Sequence, residues 1–252
     1  MKELLEKNPN LVYINLDVIG DGDGSFENWM KIREAGLRPV PVWHPQTALS
    51  KKSKYDAEHW LRKYLDLTDH IAIGAIAKVS SRQRVVALDR IWEDYLIDED
   101  RMPKVKVHGM GITSYELMTR YPWHSVDSTS WLQVGMYGKV YIPMVRNGKW
   151  LYDKTPYVIS FSSKSPAQKE KGTHINNVTP LQRKHLLRYL KENGFKLGKS
   201  RMVDGEEEII EAGVSNDYEH RCFLNAIFFA KYVEGLPWPR PFKFQRPRGL
   251  RA

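Results

Sequence analysis

The residue types best suited to chemistry are two aspartates that close short apolar runs. Asp127 follows Trp123–Val126 and opens a polar DSTS stretch, and Asp17 closes LVYINLD, Leu11–Asp17. A carboxylate at the mouth of a partly buried site can act as a general base, or attack a sugar C1′ as the base leaves. Two such carboxylates can divide the labour, one covalent and the other hydrogen-bonding a base edge. Both aspartates also suit the capping of a following turn, and residue type alone leaves the two roles open. Three histidines accompany them: His44 ends a second run, His108 opens an HGMG turn, and His124 lies inside Trp123–Val126. Histidines around one mouth raise zinc chemistry, but no HxH or HExxH spacing occurs, so neither metal nor cofactor is expected. Gly74, Gly109 and Gly111 stand where strands meet loops. Glycine there lets the backbone approach a flat ligand, or simply turns the chain. Trp43, Trp123 and Trp131 flank these positions and could stack on a purine or fill the core; Trp123, within a strand, reads as core.

The elements that must position these groups alternate. Leu11–Asp17, Arg38–Trp43, His70–Ile73, Val105–Val107 and Trp123–Val126 read as strands. Helical patterns fall between them at Phe26–Ala35, Asp56–Leu65, Ser80–Leu96 and Thr113–Arg120, the last with Thr113 and Glu116 as a capping box. The loop Gly20–Gly24 has neither EF-hand spacing nor a Walker lysine and reads as a flexible active-site loop, with Asp21 and Asp23 solvated. The strand ends at Asp17, His44, Gly74, His108 and Asp127 are 27, 30, 34 and 19 residues apart. A (β/α) barrel spends about 31 residues per unit. The expected fold is therefore α/β, a TIM-type (β/α) barrel with five clear units. The barrel is incomplete, or its remaining strands come from elsewhere.

Beyond Asp127 the pattern changes. Lys139–Val145 and Tyr157–Phe161 read as strands around an Asn147-Gly148 turn, and 162–178 as a polar, basic, mobile loop. Helices are expected at Leu181–Glu192, capped by Thr179, and at Asp217–Val233, with Phe223, Ile227 and Ala230 on its apolar face. The tail from Pro237 alternates proline, aromatics and arginine. It reads as an extended segment lying on nucleic acid, or as disorder. The domain division is 1–161, the partial barrel, and 162–252, the basic loop, helices and tail.

The chain has 252 residues and a net charge of +9, from 39 Lys+Arg against 30 Asp+Glu. That balance favours a polyanionic partner, nucleic acid first, although ordinary lysine excess produces it too. No apolar run is long enough to span a membrane, and the N-terminus lacks the apolar core of a secretory signal. One cysteine, Cys222, excludes an intrachain disulfide and suits a reducing cytoplasm.

The segments NLDVIGD, VPVWH, HIAIGAIA, KVHGMGIT, YPWHSVDSTSW and SNDYEHRCFLNAIFFA resemble the tRNA-guanine transglycosylase superfamily, and within it the phage and bacterial DNA-guanine transglycosylases. The resemblance runs through most of the chain, and HGMG with SVDSTSW is its most specific part. It implies displacement of guanine in DNA by an aspartate nucleophile, then attack by a 7-deazaguanine such as preQ0 on the glycosyl–enzyme intermediate. It implies that Asp127 is the nucleophile, that Asp17 reads the base, and that His44, Gly74, His108, Gly109 and Gly111 bind substrate. The family's glycine pair matches Gly74-Ala75, with one glycine replaced. Its first three strands and its Asp-Ser-Gly general acid/base are missing here, as is its cysteine-rich zinc insertion. The chain therefore looks like a truncated or split version. Its raw sheet edge would be covered by a partner chain, a second copy, or the C-terminal segments folding back.

The expected activity is that of a pentosyltransferase in the cytoplasm, the host's if the gene is a phage's. Phosphates would be held by the basic residues of 162–188 and the tail. Two rival expectations stand beside it: a non-catalytic nucleic-acid-binding remnant or subunit, and a metal-dependent barrel hydrolase using His44, His108 and His124.

Overall fold

The computed structural model describes residues 2–45, 55–74, 80–112, 114–165 and 170–244. The chain forms two compact units, Met1–Ser128 with Trp238–Ala252, and Thr129–Pro237.

The first unit carries a parallel sheet whose strands, β1 (Val42–Trp43), β2 (His70–Ile73), β3 (Lys106–Gly109) and β4 (Ser125–Val126), lie side by side in chain order. After the N-terminal α1 (Lys2–Lys7), α2 (Gly22–Glu34) precedes β1. The crossovers carry α3 (Ala57–Leu67), α4 (Ser81–Ile91) continued by a π-turn at Trp92–Leu96, and α5 (Tyr115–Arg120). Helices α2 to α5 each start where a side chain takes up an orphan backbone N–H. Asp21 caps α2, Asp56 caps α3, Ser80 with Gln83 closes a capping box on α4, and Ser114 caps α5. The cap expected at Thr113 lies outside the described residues. Asp21 is thus a cap, and the Gly20–Gly24 stretch is largely the first turn of α2 rather than a flexible loop.

The expected strand Leu11–Asp17 is reduced to one parallel bridge, Ile14 to Val40, held by Asn15 N to Val40 O at 2.8 Å and Val40 N to Tyr13 O at 2.9 Å. Leu11, Val12 and Leu16 are exposed, so most of the run's apolar side chains gain little by joining the sheet. The second strand shrinks to Val42–Trp43 because Pro39 and Pro41 have no N–H to offer the ladder. Pro41 still accepts from Ala72 N at 2.8 Å. The fifth expected strand starts two residues late, at Ser125, because Trp123 N bonds Tyr121 O in a turn.

One sheet face carries Ile71, Ile73 and Val107, all fully buried, as are Leu61 of α3 and Leu88 of α4. Beside Leu88, buried Asp89 accepts both guanidinium arms of Arg120 at 2.8 Å and the Tyr121 hydroxyl at 2.9 Å. That polar knot, with Asp89 nearly sealed from water, is costly to break from one side.

As far as Phe244, the tail is packed against the first unit rather than spread on the surface. Phe242 is fully buried against Trp92 and Tyr121. Arg101 donates to the carbonyls of Phe242 and Phe244. Arg240 donates to the carbonyls of Met118, Thr119 and Tyr121, satisfying the C-terminal end of α5.

The second unit pairs β5 (Lys139–Ile142) with β8 (Tyr157–Ser160) antiparallel. Between them β6 (Met144–Arg146) and β7 (Lys149–Leu151) form a hairpin whose turn residues Asn147 and Gly148 both have positive φ, as a tight two-residue loop requires. Its helices are α6 (Ser130–Met136), α7 (Pro180–Glu192), with the expected Thr179 cap, and α8 (Tyr218–Glu234). A second hairpin, β9 (Lys199–Val203) and β10 (Glu206–Glu211), turns at Asp204-Gly205 and was not anticipated, although Asp-Gly is a standard hairpin signal.

Two expectations fail here. Residues 170–178 are not a mobile loop: His174 and Ile175 are buried and bridge to Ser160. The buried face of α8 is Cys222, Leu224, Phe228 and Tyr232, while Phe223 and Ala230 are exposed. Small Gly135 of α6 permits this packing, since a Cβ there would meet the Cys222 sulfur at 2.5 Å. Among the described residues no helix is long and apolar enough to cross a membrane.

Phe242→Ala should lower the unfolding free energy by about 3–5 kcal/mol in urea titrations. A change below about 0.5 kcal/mol would mean that the tail is not packed in solution.

Candidate active site

Parallel register aligns the ends of the strands. Val42 pairs with Ala72, Ala72 with His108, and His108 with Ser125. Side chains alternate along a strand, so these four share one face. Two residues further on, the same face receives His44, Gly74, Met110 and Asp127. The ladder reaches that level through Gly74 N to Trp43 O at 2.9 Å, Met110 N to Ile73 O at 3.0 Å, and Asp127 N to Gly109 O at 3.3 Å. Below the row, Val40, Val42 and Ala72 form a small apolar floor with Met110 packed on it. This is the carboxyl edge at which parallel α/β proteins assemble ligand sites.

Two aspartate–histidine pairs occupy the row. At its β1 end, His44 Nε2 lies 2.6 Å from Asp17 Oδ2, the ring 6% and the carboxylate 21% exposed. The chain leaves sheet geometry after Asn15, and this brings Asp17 over the end of β1. At the β4 end, His108 Nε2 lies 3.3 Å from Asp127 Oδ1. The same oxygen accepts the Gly111 N–H at 3.0 Å, and His108 Nδ1 is 2.9 Å from Ser125 Oγ. Asp127 is 61% exposed, its one oxygen oriented and its carboxylate open to solvent. Asp17 and Asp127 thus belong to separate pairs on β1 and β4, three strand spacings of about 4.8 Å apart along the sheet.

The glycines serve in ways that differ among themselves. A Cβ at Gly74 would come 2.6 Å from His44 Cε1, so this glycine makes room for the His44 ring. A Cβ at Gly109 would sit 2.9 Å from Ile112 Cγ1 and 3.1 Å from the Trp123 ring, which makes its role one of core packing. Gly111 has φ +70, a conformation glycine adopts freely, and it is this turn that aims its N–H at Asp127. Ser125 was not among the sequence candidates. Its signal was its place two residues before Asp127 on a strand, which puts both on one face.

The three expected histidines have different neighbours. His124 joins neither aspartate; its ring packs edge-on against His70 at 5.2 Å between centroids. Among the described residues no group of three His, Cys, Asp or Glu converges as a metal site would require. Burial, then the charges of His124, Lys106 and His108, push the His70 imidazole down to about 4, and burial with Lys106 and His108 lowers His124 as well.

No family model matches the chain, and no curated protein or solved structure matches it.

The His70 shift carries a stability consequence. An unfolded histidine titrates near about 6.5, so the unfolded chain takes up this proton first as pH falls. Stability from this group is intact above about 6.5 and declines until the folded ring also protonates, near about 4. With solvent screening of a half-buried ring, the loss is about 1–2 kcal/mol. Unfolding free energy should therefore drop more between pH 7 and pH 5 in the native chain than in His70→Gln, by about 1 kcal/mol. Equal drops would reject this account.

Proposed function

We propose that the first unit is an arc of a (β/α) barrel and that the chain exchanges guanine in DNA for a 7-deazaguanine base such as preQ0. The arc reading rests on strand order. Four parallel strands follow one another without reversal, and Ile14–Val40 adds a rudimentary neighbour ahead of them. A doubly wound sheet would reverse direction at a switch point. Crossovers of one hand then put all helices on one face and leave the other as the lumen side. A partner chain or a second copy closes the arc.

The observation that carries the chemistry is the exposed Asp127 carboxylate, held by the Gly111 N–H and the His108 ring. In the proposed reaction a carboxylate oxygen attacks C1′ of the deoxyribose. The bond from C1′ to guanine N9 breaks, and its electron pair leaves with the base, which takes up a proton. The incoming 7-deazaguanine loses its N9 proton and attacks C1′ in turn, releasing Asp127. One proton passes from the entering base to the departing one, and no water is consumed. His108, fixed by Ser125 Oγ, orients the nucleophile. Asp17, kept in place by His44, accepts from the N1–H and 2-amino edge common to both bases. The target nucleotide leaves the stack to reach this edge.

A second reading is favoured by one contact set. His108 lies between Ser125 Oγ and Asp127 Oδ1, the order of a serine–histidine–aspartate relay. The aspartate of such a relay is buried, whereas Asp127 is mostly exposed, so the carboxylate is the better nucleophile here.

The test uses guanine-containing DNA and labelled preQ0, with and without the products of neighbouring genes. Label should enter DNA with the native chain and fall by about 1,000-fold or more with Asp127→Asn. Ser125→Ala should keep activity within about tenfold. Unchanged incorporation by Asp127→Asn removes that residue from the mechanism. No incorporation under any condition, with ester hydrolysis that Ser125→Ala abolishes, selects the second reading.

A further inference from the structure

Basic side chains collect at the other end of the same strands. His70 opens β2 and stands in register with Lys106 of β3. The His124 ring, just ahead of β4, packs edge-on against His70 at 5.2 Å and against Trp238 at 4.7 Å between centroids. His108, two residues along β3 from Lys106, adds its influence to both rings. His70 Nε2 and His124 Nδ1 are shielded from solvent and, among the described residues, have no hydrogen-bond partner. Among the described residues Lys106 makes no ion pair within 4.0 Å. The carboxylate that acts on His70 is Asp69, which is exposed.

Buried polar atoms nearly always have partners, and those that lack one need an explanation. Here two adjacent rings and an ammonium group gather beside one another with little acceptor to share. An anion bearing several oxygens answers all three at once. His70 also lines a cavity of about 470 Å³ together with Arg33, Arg38, Thr68 and Asp69.

We propose that His70, Lys106 and His124 form a binding site for a phosphate group. Each imidazole offers one N–H to a phosphate oxygen, and the Lys106 ammonium neutralises charge beside them. Burial and the neighbouring positive charges disfavour protonation of both rings. A bound dianion reverses that balance, so binding draws protons onto the rings. The phosphate can be a free ion or a phosphodiester of a nucleic-acid backbone. The site uses neither Asp17 nor Asp127, and it stands or falls separately from base exchange.

The experiment follows the imidazole Hε1 resonances of the full chain by NMR, assigned through His70→Gln and His124→Gln. One arm adds inorganic phosphate, and another adds a short single-stranded oligodeoxynucleotide without terminal phosphates. Expected is a saturable, concerted movement of both resonances, with the titration midpoints raised by about one pH unit, tenfold in proton affinity. Lys106→Met should weaken binding by about tenfold, Lys106→Arg should retain it within about threefold, and Asp127→Asn should leave it unchanged. A response to phosphate alone assigns the site to the free ion, and a response to the oligonucleotide assigns it to backbone. No saturable movement of these two rings in either arm, or a Lys106→Met variant that folds and binds like the native chain, overturns the proposal.

Discussion

Everything at the carboxyl edge depends on the parallel register of β1 to β4. Three backbone hydrogen bonds, from Gly74, Met110 and Asp127 to the strand before each, carry the ladder one step past the sheet proper. That extra step puts His44, Gly74, Met110 and Asp127 on one line and one face. Side chains alternate with a period of two, so a slip of a single residue would send the histidines and Asp127 to the helix side. The apolar floor of Val40, Val42 and Ala72 resists such a slip, because it would move those side chains off the face they fill.

Within that frame, each reactive group is held by a neighbour of complementary type. Asp17 has His44, and Asp127 has His108 and the Gly111 N–H. Gly74 gives the His44 ring its place, and the Gly111 turn supplies the donor to Asp127. The two ends of the strands also differ in character. The carboxyl edge pairs acids with histidines, while the opposite end holds His70, Lys106 and His124 with little to neutralise them. His70 Nε2 and His124 Nδ1, shielded and unpaired among the described residues, are unfavourable for stability alone.

The excess of positive charge is partly used inside the fold. Arg101 and Arg240 donate to carbonyls of the tail and of α5. In the second unit Arg221 is buried and donates to Gly135 O and Val214 O, and burial lowers its pKa. These guanidinium groups donate to backbone oxygens within the fold. The net charge therefore overstates the charge left over for a polyanion, and the arginines of a Pro/Arg-rich tail can serve as structural caps.

The sequence by itself determined the alternation of strand and helix, the Thr179 cap of α7, and the run His70–Ile73 as a strand. These are local properties: period, capping chemistry and apolar content act within a few residues. It also placed Asp17, His44, Gly74, His108 and Asp127 at strand ends, and all five lie at the carboxyl edge. Only the tertiary structure decided which of them meet. Asp17 found His44 rather than Asp127, Ser125 joined His108, and His124 turned away to His70, because pairing across strands depends on register and twist. The same holds for the buried face of α8 and for the docking of Phe242. An apolar stripe shows which side chains can be buried, but only the surface opposite selects the side that is.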